Sequence, residues 1–292
     1  MRKNLLLVIN PTAGSINVES VLHKTEQWAR KFEFNLKVFK TTGENDHAKI
    51  EELLQLADYK RVIVAGGDGT INLVASKLIG TKTILGILPC GSANGLATSL
   101  NIPKSINEQL SIAIDNNVIS SDTITVNDNI CIHIADVGIN AELIYNYENS
   151  KSSGMLGYFK QAIPTLFQSN YPYKFKISLN DKVIEKKAVL LAFANAKKYG
   201  TGAIVNPNGK IDDGTFEVIV FKKLKLIEVL KSIIQTPYIQ KTSVESYRTK
   251  SVLVTCKKPI ALQVDGEFIG EYDKLSAKIK PKSLRLAVPN LD

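Results

Sequence analysis

Short apolar runs and helical patterns alternate strictly through the first 100 residues, and this alternation restricts the fold more than any other feature of the chain. Runs that suit buried strands occupy residues 5–9, 35–40, 61–65 and 83–88. Helical patterns occupy residues 18–32, 46–57 and 70–79, and the first of them places Trp28 on an apolar face directed at the core. Strand and helix in strict succession predict a parallel sheet with helices on both faces.

The pattern changes after about residue 120, where the apolar runs become rich in Val, Ile, Phe and Tyr. They span residues 123–126, 130–137, 173–179, 183–194, 215–221, 251–255, 260–264 and 276–279. Turn signals such as Asn180-Asp181 and Asp212-Asp213-Gly214 separate these runs. This pattern predicts an antiparallel β-sandwich, with two helix candidates at residues 153–167 and 226–235.

The chain has 292 residues, which exceeds the usual size of one domain. We predict an α/β domain over residues 1–124 and a β-sandwich domain over residues 125–283. No low-complexity segment separates them, so the two domains are expected to adjoin, with a ligand site in the cleft between them.

Several classes of protein are not expected. No apolar run approaches the roughly 20 residues of a membrane-spanning helix, and the five apolar residues 5–9 are too few for a signal peptide. Cys90, Cys131 and Cys256 are odd in number and widely separated, and the three histidines do not cluster with them, so no zinc site is expected. Free thiols suit a reducing compartment, and we expect a cytoplasmic protein.

The net charge of +9 is concentrated in the second half of the chain. Residues 126–292 hold 24 Lys and Arg against 16 Asp and Glu, a net charge of +8. Such a surface could attract anionic lipid or nucleic acid, although solvated lysines are its commonest explanation. No recognisable nucleic-acid-binding module accompanies the charge, so nucleic acid is not an expected partner.

A glycine-rich segment, Gly66-Gly67-Asp68-Gly69-Thr70, joins the third predicted strand to the next helix. Its glycines allow the backbone to approach a ligand closely, and the N-terminus of the following helix favours a polyphosphate. The segment matches neither GxxxxGK[ST] nor GxGxxG. An acidic residue inside a phosphate loop implies a metal, so Asp68 predicts Mg²⁺. The alternative is a glycine-rich turn with a helix cap and no ligand.

Three further polar loops favour the ligand interpretation. They are Asn10-Pro11-Thr12-Ala13-Gly14-Ser15, Thr41-Thr42-Gly43 and Pro89-Cys90-Gly91-Ser92-Ala93-Asn94-Gly95-Leu96-Ala97. Each follows one of the predicted parallel strands, and open α/β sheets bind their ligands at the carboxyl ends of such strands.

The six segments NPTAG (10–14), TTGE (41–44), GGDGTIN (66–72), PCGSANGLA (89–97), IDDGTFEVIVFKK (211–223) and VDGE (264–267) occur in a characteristic order and spacing. Through them the chain resembles the diacylglycerol kinase catalytic-domain family, which includes bacterial diacylglycerol kinases and sphingosine kinases. The resemblance implies a three-layer nucleotide domain like that of NAD kinases and phosphofructokinases, followed by a β-sandwich that holds the lipid. It also implies that the last strand, from about residue 284 to the end at 292, returns to the first domain.

The resemblance also implies the roles of individual residues. ATP is expected against Asn10, Thr12, Gly14, Thr41, Gly66, Gly67, Gly69, Thr70, Asn72, Gly91, Ser92 and Asn94. Asp68 and Asp122 are expected to organise Mg²⁺ through water, and Lys210, Asp213 and Thr215 match a second, structural metal site. Bacterial diacylglycerol kinases usually carry Asp where this chain has Gly95, and sphingosine kinases carry a small residue there.

These features together predict an ATP-dependent lipid kinase that phosphorylates a diacylglycerol-like or sphingoid hydroxyl at the inner face of the membrane. Asp68 and Glu267 are the two candidates for the general base. Without the family resemblance, Asp265-Gly266-Glu267 would be interpreted as a hairpin turn. Expected partners are the lipid and anionic phospholipid headgroups. The sequence leaves open whether the chain forms a homodimer. The alternatives are an NAD kinase-like enzyme and a catalytically weak lipid-binding regulator.

Overall fold

The computed structural model describes residues 3–14, 17–92, 94–115, 117–149, 171–198, 204, 206–207, 209–222 and 244–290. The chain divides into two compact units, residues 1–121 with 282–292 and residues 122–281. The helices predicted at residues 153–167 and 226–235 lie outside the described residues. Within the described ranges, no helix combines the length and the apolar character that crossing a bilayer requires.

The first unit is built on a parallel sheet. Its strands are β1 (Lys3–Ile9), β2 (Phe34–Lys40), β3 (Tyr59–Gly66) and β4 (Ile84–Pro89), in the order β4-β3-β1-β2. Its described helices are α1 (Val18–Lys31), α2 (Asp46–Leu56), α3 (Asp68–Leu78), α4 (Gly95–Ser99) and α5 (Ile106–Ile114). The four predicted strands and three predicted helices are confirmed, each end lying within about two residues of its prediction.

The central strands of this sheet are apolar on both faces because helices cover both. Leu5 and Leu7 of β1 are fully buried and share a cluster with Val21 of α1 and Leu110 of α5. Trp28 packs at the border of this cluster and stacks on the exposed ring of Phe32 at 5.4 Å between centroids. Its helical face predicted a position in the core. The tryptophan is instead half-buried in the last turn of α1, at the border of the core.

The second unit is antiparallel. Its elements are β5 (Val118–Val126), β6 (Asn129–Cys131), β7 (Ile134–Gly138), α6 (Ile139–Glu148), β8 (Tyr173–Leu179), β9 (Lys182–Ala188), β10 (Leu190–Ala194), β11 (Phe216–Phe221), β12 (Val244–Thr249), β13 (Ser251–Val264) and β14 (Glu267–Ala287). The strand order is β12-β11-β10-β7-β13-β14, with β8 on β13 and β9 on β8. Phe175, Phe193 and Phe216 lie in a single apolar core. The predicted class, a parallel α/β unit followed by an antiparallel β-sandwich, is confirmed.

Some predicted strand boundaries are corrected. The run at residues 130–137 contains two strands, because the backbone between them turns to donate the N–H groups of Ile132 and His133 to the Asp265 carboxylate. The run at 183–194 also contains two strands, β9 and β10. Conversely, the runs at 251–255 and 260–264 belong to one strand, β13, whose register shifts between Thr255 and Ile260.

The two edge strands of the path β9-β8-β13-β7-β10-β11-β12 are joined by charged side chains. Glu245 of β12 pairs with Lys186 of β9 at 2.6 Å and also with Lys222. Hydrogen bonds from Lys186, Lys222 and Tyr247 lower the pKa of Glu245 to about 2. The sheet therefore curls until its first and last strands are linked, as a sandwich requires.

The end of the last strand pairs with the first unit. Arg285 and Leu286, near the end of β14, pair in parallel with Ile84 and Leu85 of β4. The segment after residue 282 thus adds a further parallel strand to the first unit.

Candidate functional site

Three loops at the carboxyl ends of β1, β3 and β4 pack backbone against backbone. A Cβ atom on Gly91 would lie 2.6 Å from the Cα of Gly67, and one on Gly14 would collide with the carbonyl oxygen of Cys90. Gly14 also has a φ of +53°, in the left-handed region that glycine tolerates best. The sequence-predicted residues Gly14, Gly67 and Gly91 are therefore brought together, and their missing side chains set the spacing of the loops.

Helix α3 begins at Asp68, two residues before its predicted start at Thr70. The N-cap residue is Gly67, which has no side chain to satisfy the first N–H groups of the helix. Gly69 and Thr70 consequently lie in the first helical turn, and Gly66 precedes the cap. The turn presents backbone donors and the positive end of the helix dipole, an arrangement that suits a phosphate group.

Asn10 connects the β1 loop to this helix. Its side-chain Nδ2 donates to Thr70 Oγ1 at 3.1 Å, and its Oδ1 accepts from both the N–H and the hydroxyl of Thr12. Thr41 is buried beside them, with its N–H donating to the carbonyl of Ile9 at 2.8 Å. The structure therefore assembles Asn10, Thr12, Thr41 and Thr70 around the ends of β1 and β2.

The next loop, Thr41–Gly43, is shaped by Asp46 at the start of α2. Its carboxylate accepts the N–H of Thr42 at 3.1 Å and the N–H of Gly43 at 2.8 Å. Burial raises the pKa of Asp46, but these backbone hydrogen bonds outweigh it, and the pKa of Asp46 is lowered overall. Asp46 is thus ionised and holds the loop, a role that sequence reasoning missed.

The carboxylate of Asp68 faces the start of α4. It accepts the N–H of Gly95 at 2.8 Å and the N–H of Leu96 at 3.3 Å. The residue that departs from the bacterial diacylglycerol kinase pattern, Gly95, therefore contacts the predicted metal-organising carboxylate through its backbone. No sequence signal indicates this contact, because the partners are 27 residues apart and meet only through loop packing.

Asn94 folds the loop that follows β4. The N–H of Gly91 donates to Asn94 Oδ1 at 2.8 Å, and Asn94 Nδ2 donates to the carbonyl of Gly91 at 2.6 Å. Asn94 adopts a φ of +53° to make this reciprocal pair. Ser92 lies exposed at the tip of the loop, and Asn72 lies half-buried one turn along α3.

Cys90 also lies in this loop. Burial raises the pKa of the Cys90 thiol to about 11, so the group stays protonated at neutral pH. A neutral thiol is a poor nucleophile and metal ligand. Cys90 therefore contributes packing and not covalent chemistry.

The remaining predicted acidic residues belong to the second unit. Asp122 is fully buried, and its Oδ2 accepts the N–H of Gly214 at 2.6 Å. Asp213 accepts the N–H and hydroxyl of Thr215 at 3.1 and 2.6 Å and forms an ion pair with Arg248, which sequence reasoning missed. Lys210 is exposed just before this loop. The structure thus gathers Asp122, Lys210, Asp213 and Thr215 at one loop.

The donor sets differ in how well they suit a metal. Among the described residues, no group of three or more His, Cys, Asp or Glu side chains is placed to hold an ion. A single carboxylate such as Asp68 fits Mg²⁺, which commonly binds one or two carboxylates together with substrate phosphates. Asp213 is already neutralised by the Arg248 guanidinium, so the second metal site stays a prediction.

The segment Asp265-Gly266-Glu267 forms a hairpin turn between β13 and β14. Asp265 and Gly266 have φ values of 49° and 94°, and Val264 pairs with Glu267 across the turn. The hairpin interpretation is thus correct for the backbone, and the role of Glu267 as a base stays a prediction. The Glu267 side chain is exposed, while Asp265 is buried.

Two family models together match most of the chain. Residues 4–126 match the family model described as "Diacylglycerol kinase catalytic domain". Residues 134–288 match the one described as "YegS C-terminal NAD kinase beta sandwich-like domain".

Full-length relatives carry similar names. The chain is 26% identical over 280 residues to a protein named "Diacylglycerol kinase" from Bacillus subtilis, covering 92% of this chain and 91% of that protein. It is 30% identical over 242 residues to a "Probable lipid kinase YegS-like" from Chromohalobacter salexigens, covering 80% and 77% of the two chains. The crystal structure of a diacylglycerol kinase from Bacillus anthracis, 20% identical, superposes with a TM-score of 0.74 over 98% of this chain and 97% of that one, which supports the fold.

Proposed function

Because the chain belongs to the family of diacylglycerol kinases and YegS-like lipid kinases, we propose that it transfers the γ-phosphate of ATP to a lipid hydroxyl. The family makes it a kinase that acts on a lipid alcohol. The acceptor is a diacylglycerol-like or sphingoid lipid bound by the second unit.

The observation that carries the proposal is the convergence of three glycine-containing loops at the N-terminus of α3. Gly14, Gly67 and Gly91 bring the loop backbones within van der Waals distance. The first turn of α3 supplies N–H donors that no N-cap side chain satisfies. Backbone amides and a helix N-terminus together suit a polyphosphate better than an apolar or cationic ligand.

Phosphoryl transfer needs an aligned hydroxyl, neutralised phosphate charge and an acceptor for the proton. In the proposal, the loop amides with Asn10 and Thr12 bind the phosphates, and Asp68 holds Mg²⁺. Bound Mg²⁺ would supply charge neutralisation on the phosphate oxygens. Glu267, exposed at the β13–β14 turn, accepts the proton of the lipid hydroxyl.

Two substitutions test these roles. Glu267→Gln and Asp68→Asn should each reduce transfer of labelled γ-phosphate to lipid by about 100-fold or more, since general-base catalysis alone contributes about that factor. Circular dichroism and thermal unfolding would verify that both variants fold. Activity close to that of the wild type in both variants would contradict the assignment.

The weak-catalysis alternative has one observation in its favour. The Asp68 carboxylate is already bonded to the amides of Gly95 and Leu96, where bacterial diacylglycerol kinases usually supply a second carboxylate. A lipid-binding regulator would bind ATP and lipid without transferring phosphate to any lipid tested. An NAD kinase-like enzyme would instead phosphorylate NAD. The relatives reported above carry the names of lipid kinases.

A further inference from the structure

We propose that Gln263 and Asp136 are positioning residues that hold the Asp265–Gly266 turn, and with it Glu267, in place for phosphoryl transfer. The inference rests on the proposed function, in which Glu267 accepts the proton of the lipid hydroxyl. Both are buried polar side chains of the second unit.

A continuous chain of hydrogen bonds connects these residues to the turn. The N–H of Gly266 donates to Gln263 Oε1 at 2.8 Å. Gln263 Nε2 in turn donates to Asp136 Oδ2 at 2.5 Å, and Asn140 Nδ2 donates to the same oxygen at 2.8 Å. The residue beside Glu267 is therefore tied through β13 and β7 to helix α6.

Strand register explains why Gln263 and Asp136 meet. They are direct partners on β13 and β7, so both side chains leave the sheet on the same face. Their neighbours Ala135 and Val264 belong to the sandwich core, and alternation therefore directs the polar pair to the opposite face. Helix α6 packs against both strands, and Asp136 and Gln263 are 0% and 2% exposed.

Burying this polar pair has an unfavourable desolvation free energy. A buried carboxylate or amide destabilises the fold unless its hydrogen bonds are made, and apolar residues of similar volume would avoid that penalty. A primary amide offers both an acceptor and a donor, and Gln263 uses the acceptor for the turn and the donor for Asp136. The polar pair fixes the position of Gly266, which an apolar pair could not do.

Two other contacts anchor the same turn. The Asp265 carboxylate accepts the N–H groups of Ile132, His133 and Ile134 at 2.8, 2.9 and 3.1 Å. On the other side, the Phe268 ring lies 4.7 Å from that of Tyr145 on α6. The residues flanking Glu267 are thus fixed, as the precise placement of a base requires.

The test begins with Gln263→Met, which keeps the side-chain length and removes both hydrogen bonds. We expect kcat for lipid phosphorylation to fall about 100-fold, because a displacement of about 1 Å at a reacting group can have that effect. The KM for ATP should not change. Gln109→Met is the matched control, since Gln109 is buried on α5 and bonds only backbone carbonyls, those of Pro103 and Lys104, in the contacts described. It should lower the melting temperature and leave kcat unchanged.

An exchange of the two head groups separates positioning from simple stability. Gln263→Glu alone places two carboxylates against each other and should abolish most activity. Adding Asp136→Asn restores a donor opposite the new carboxylate, whose other oxygen can still accept the Gly266 N–H. The Asn140 amide, which donates to Asp136 Oδ2 in the wild type, can turn over so that its oxygen accepts from the new amide. The double variant should regain at least about 10-fold in kcat over Gln263→Glu alone, a coupling typical of directly bonded residues. If Gln263→Met does not fold, the recovery of kcat in the double variant tests the positioning role instead.

Amide hydrogen exchange of Gly266 supplies a readout that needs no activity. In Gln263→Met it should accelerate by more than the accompanying loss of global stability accounts for. Unchanged kcat in Gln263→Met, with Glu267→Gln inactive, would overturn the positioning role alone. A Gly266 amide that exchanges as slowly in Gln263→Met as in the wild type would also overturn it. Absence of lipid phosphorylation by the wild-type chain would instead overturn the proposed function, and the positioning role with it.

Discussion

At the scale of single residues, the glycines of the converging loops carry the geometry of the site. Any Cβ on Gly91 would lie 2.6 Å from the Cα of Gly67, a separation that real Cβ contacts do not show. Gly91→Ala should therefore push the two loops apart and weaken ATP binding. We expect KM for ATP to rise, with a loss of stability of about 1–3 kcal/mol from overpacking.

The control for this variant is Gly80→Ala. Gly80 has a positive φ of 78°, unlike Gly91, and a Cβ there meets no atom within 4 Å. Its substitution should lower stability through backbone strain and leave KM for ATP unchanged. Equal KM values in Gly91→Ala and the wild type would show that the loop spacing does not matter for the nucleotide.

The sequence predicted Gly67, Gly91 and Asp68 as site residues through the accompanying loops and the family resemblance, because a glycine-rich turn alone could equally be structural. They could not predict that Asp68 accepts the amides of Gly95 and Leu96, nor that Arg248 pairs with Asp213. Both contacts join residues far apart in the chain. They depend on how loops pack, which no local pattern encodes.

At the scale of elements, helix and strand ends were the least predictable feature. Helix α3 starts at Asp68 because Gly67 serves as its N-cap, and glycine lacks the Ser, Thr, Asp or Asn side chain that usually marks a helix start. Strand β14 continues through Pro281, which normally ends a strand. Pro281 lies after the pairing of β14 with β13, which ends at Lys278, and before its pairing with β4 at Arg285, while β5 also pairs with β14.

The link between β9 and β12 gives a prediction that depends on pH. The bonds from Lys186, Lys222 and Tyr247 hold the pKa of Glu245 at about 2, below the ordinary value of about 4.3 for Glu. A lowered carboxyl pKa stabilises the fold above the unfolded pKa, and this contribution disappears as pH falls through the folded pKa. Glu245→Gln should therefore lower the melting temperature at pH 7, with the difference shrinking between about pH 4.5 and pH 2.

Thermal unfolding of both proteins across this pH range would measure the effect. Glu185→Gln, an exposed carboxylate on β9, is the matched control and should change the melting temperature little. A difference between wild type and Glu245→Gln that stays constant down to pH 2 would contradict the assigned role of the ion pairs.

At the scale of the whole molecule, the sequence predicted the class of both units because their periodicities differ. Strands alternate with helices in the first unit, whereas β-rich runs with polar turns fill the second. The prediction that the last strand returns to the first unit rested on family resemblance, because periodicity does not indicate which strand a terminal segment pairs with. Pairing partners of a terminal strand are set by the tertiary fold.

The charge distribution leads to a prediction about membranes. Residues 126–292 carry a net charge of +8, which should attract the chain to anionic headgroups. Binding to vesicles containing phosphatidylglycerol should weaken strongly between about 50 mM and about 500 mM salt, because salt screens the attraction. Neutral phosphatidylcholine vesicles are the control. Binding that does not respond to salt would contradict an electrostatic attachment.

The central claim, that the chain is an ATP-dependent lipid kinase, is tested most directly by incubating it with Mg²⁺, γ-labelled ATP and a panel of acceptors. The panel should contain diacylglycerol, monoacylglycerol, sphingosine, ceramide, undecaprenol and phosphatidylglycerol, with NAD as the non-lipid acceptor. We predict that label enters diacylglycerol or a sphingoid lipid and does not enter NAD. Label in NAD alone, or in no acceptor at all, would contradict the account.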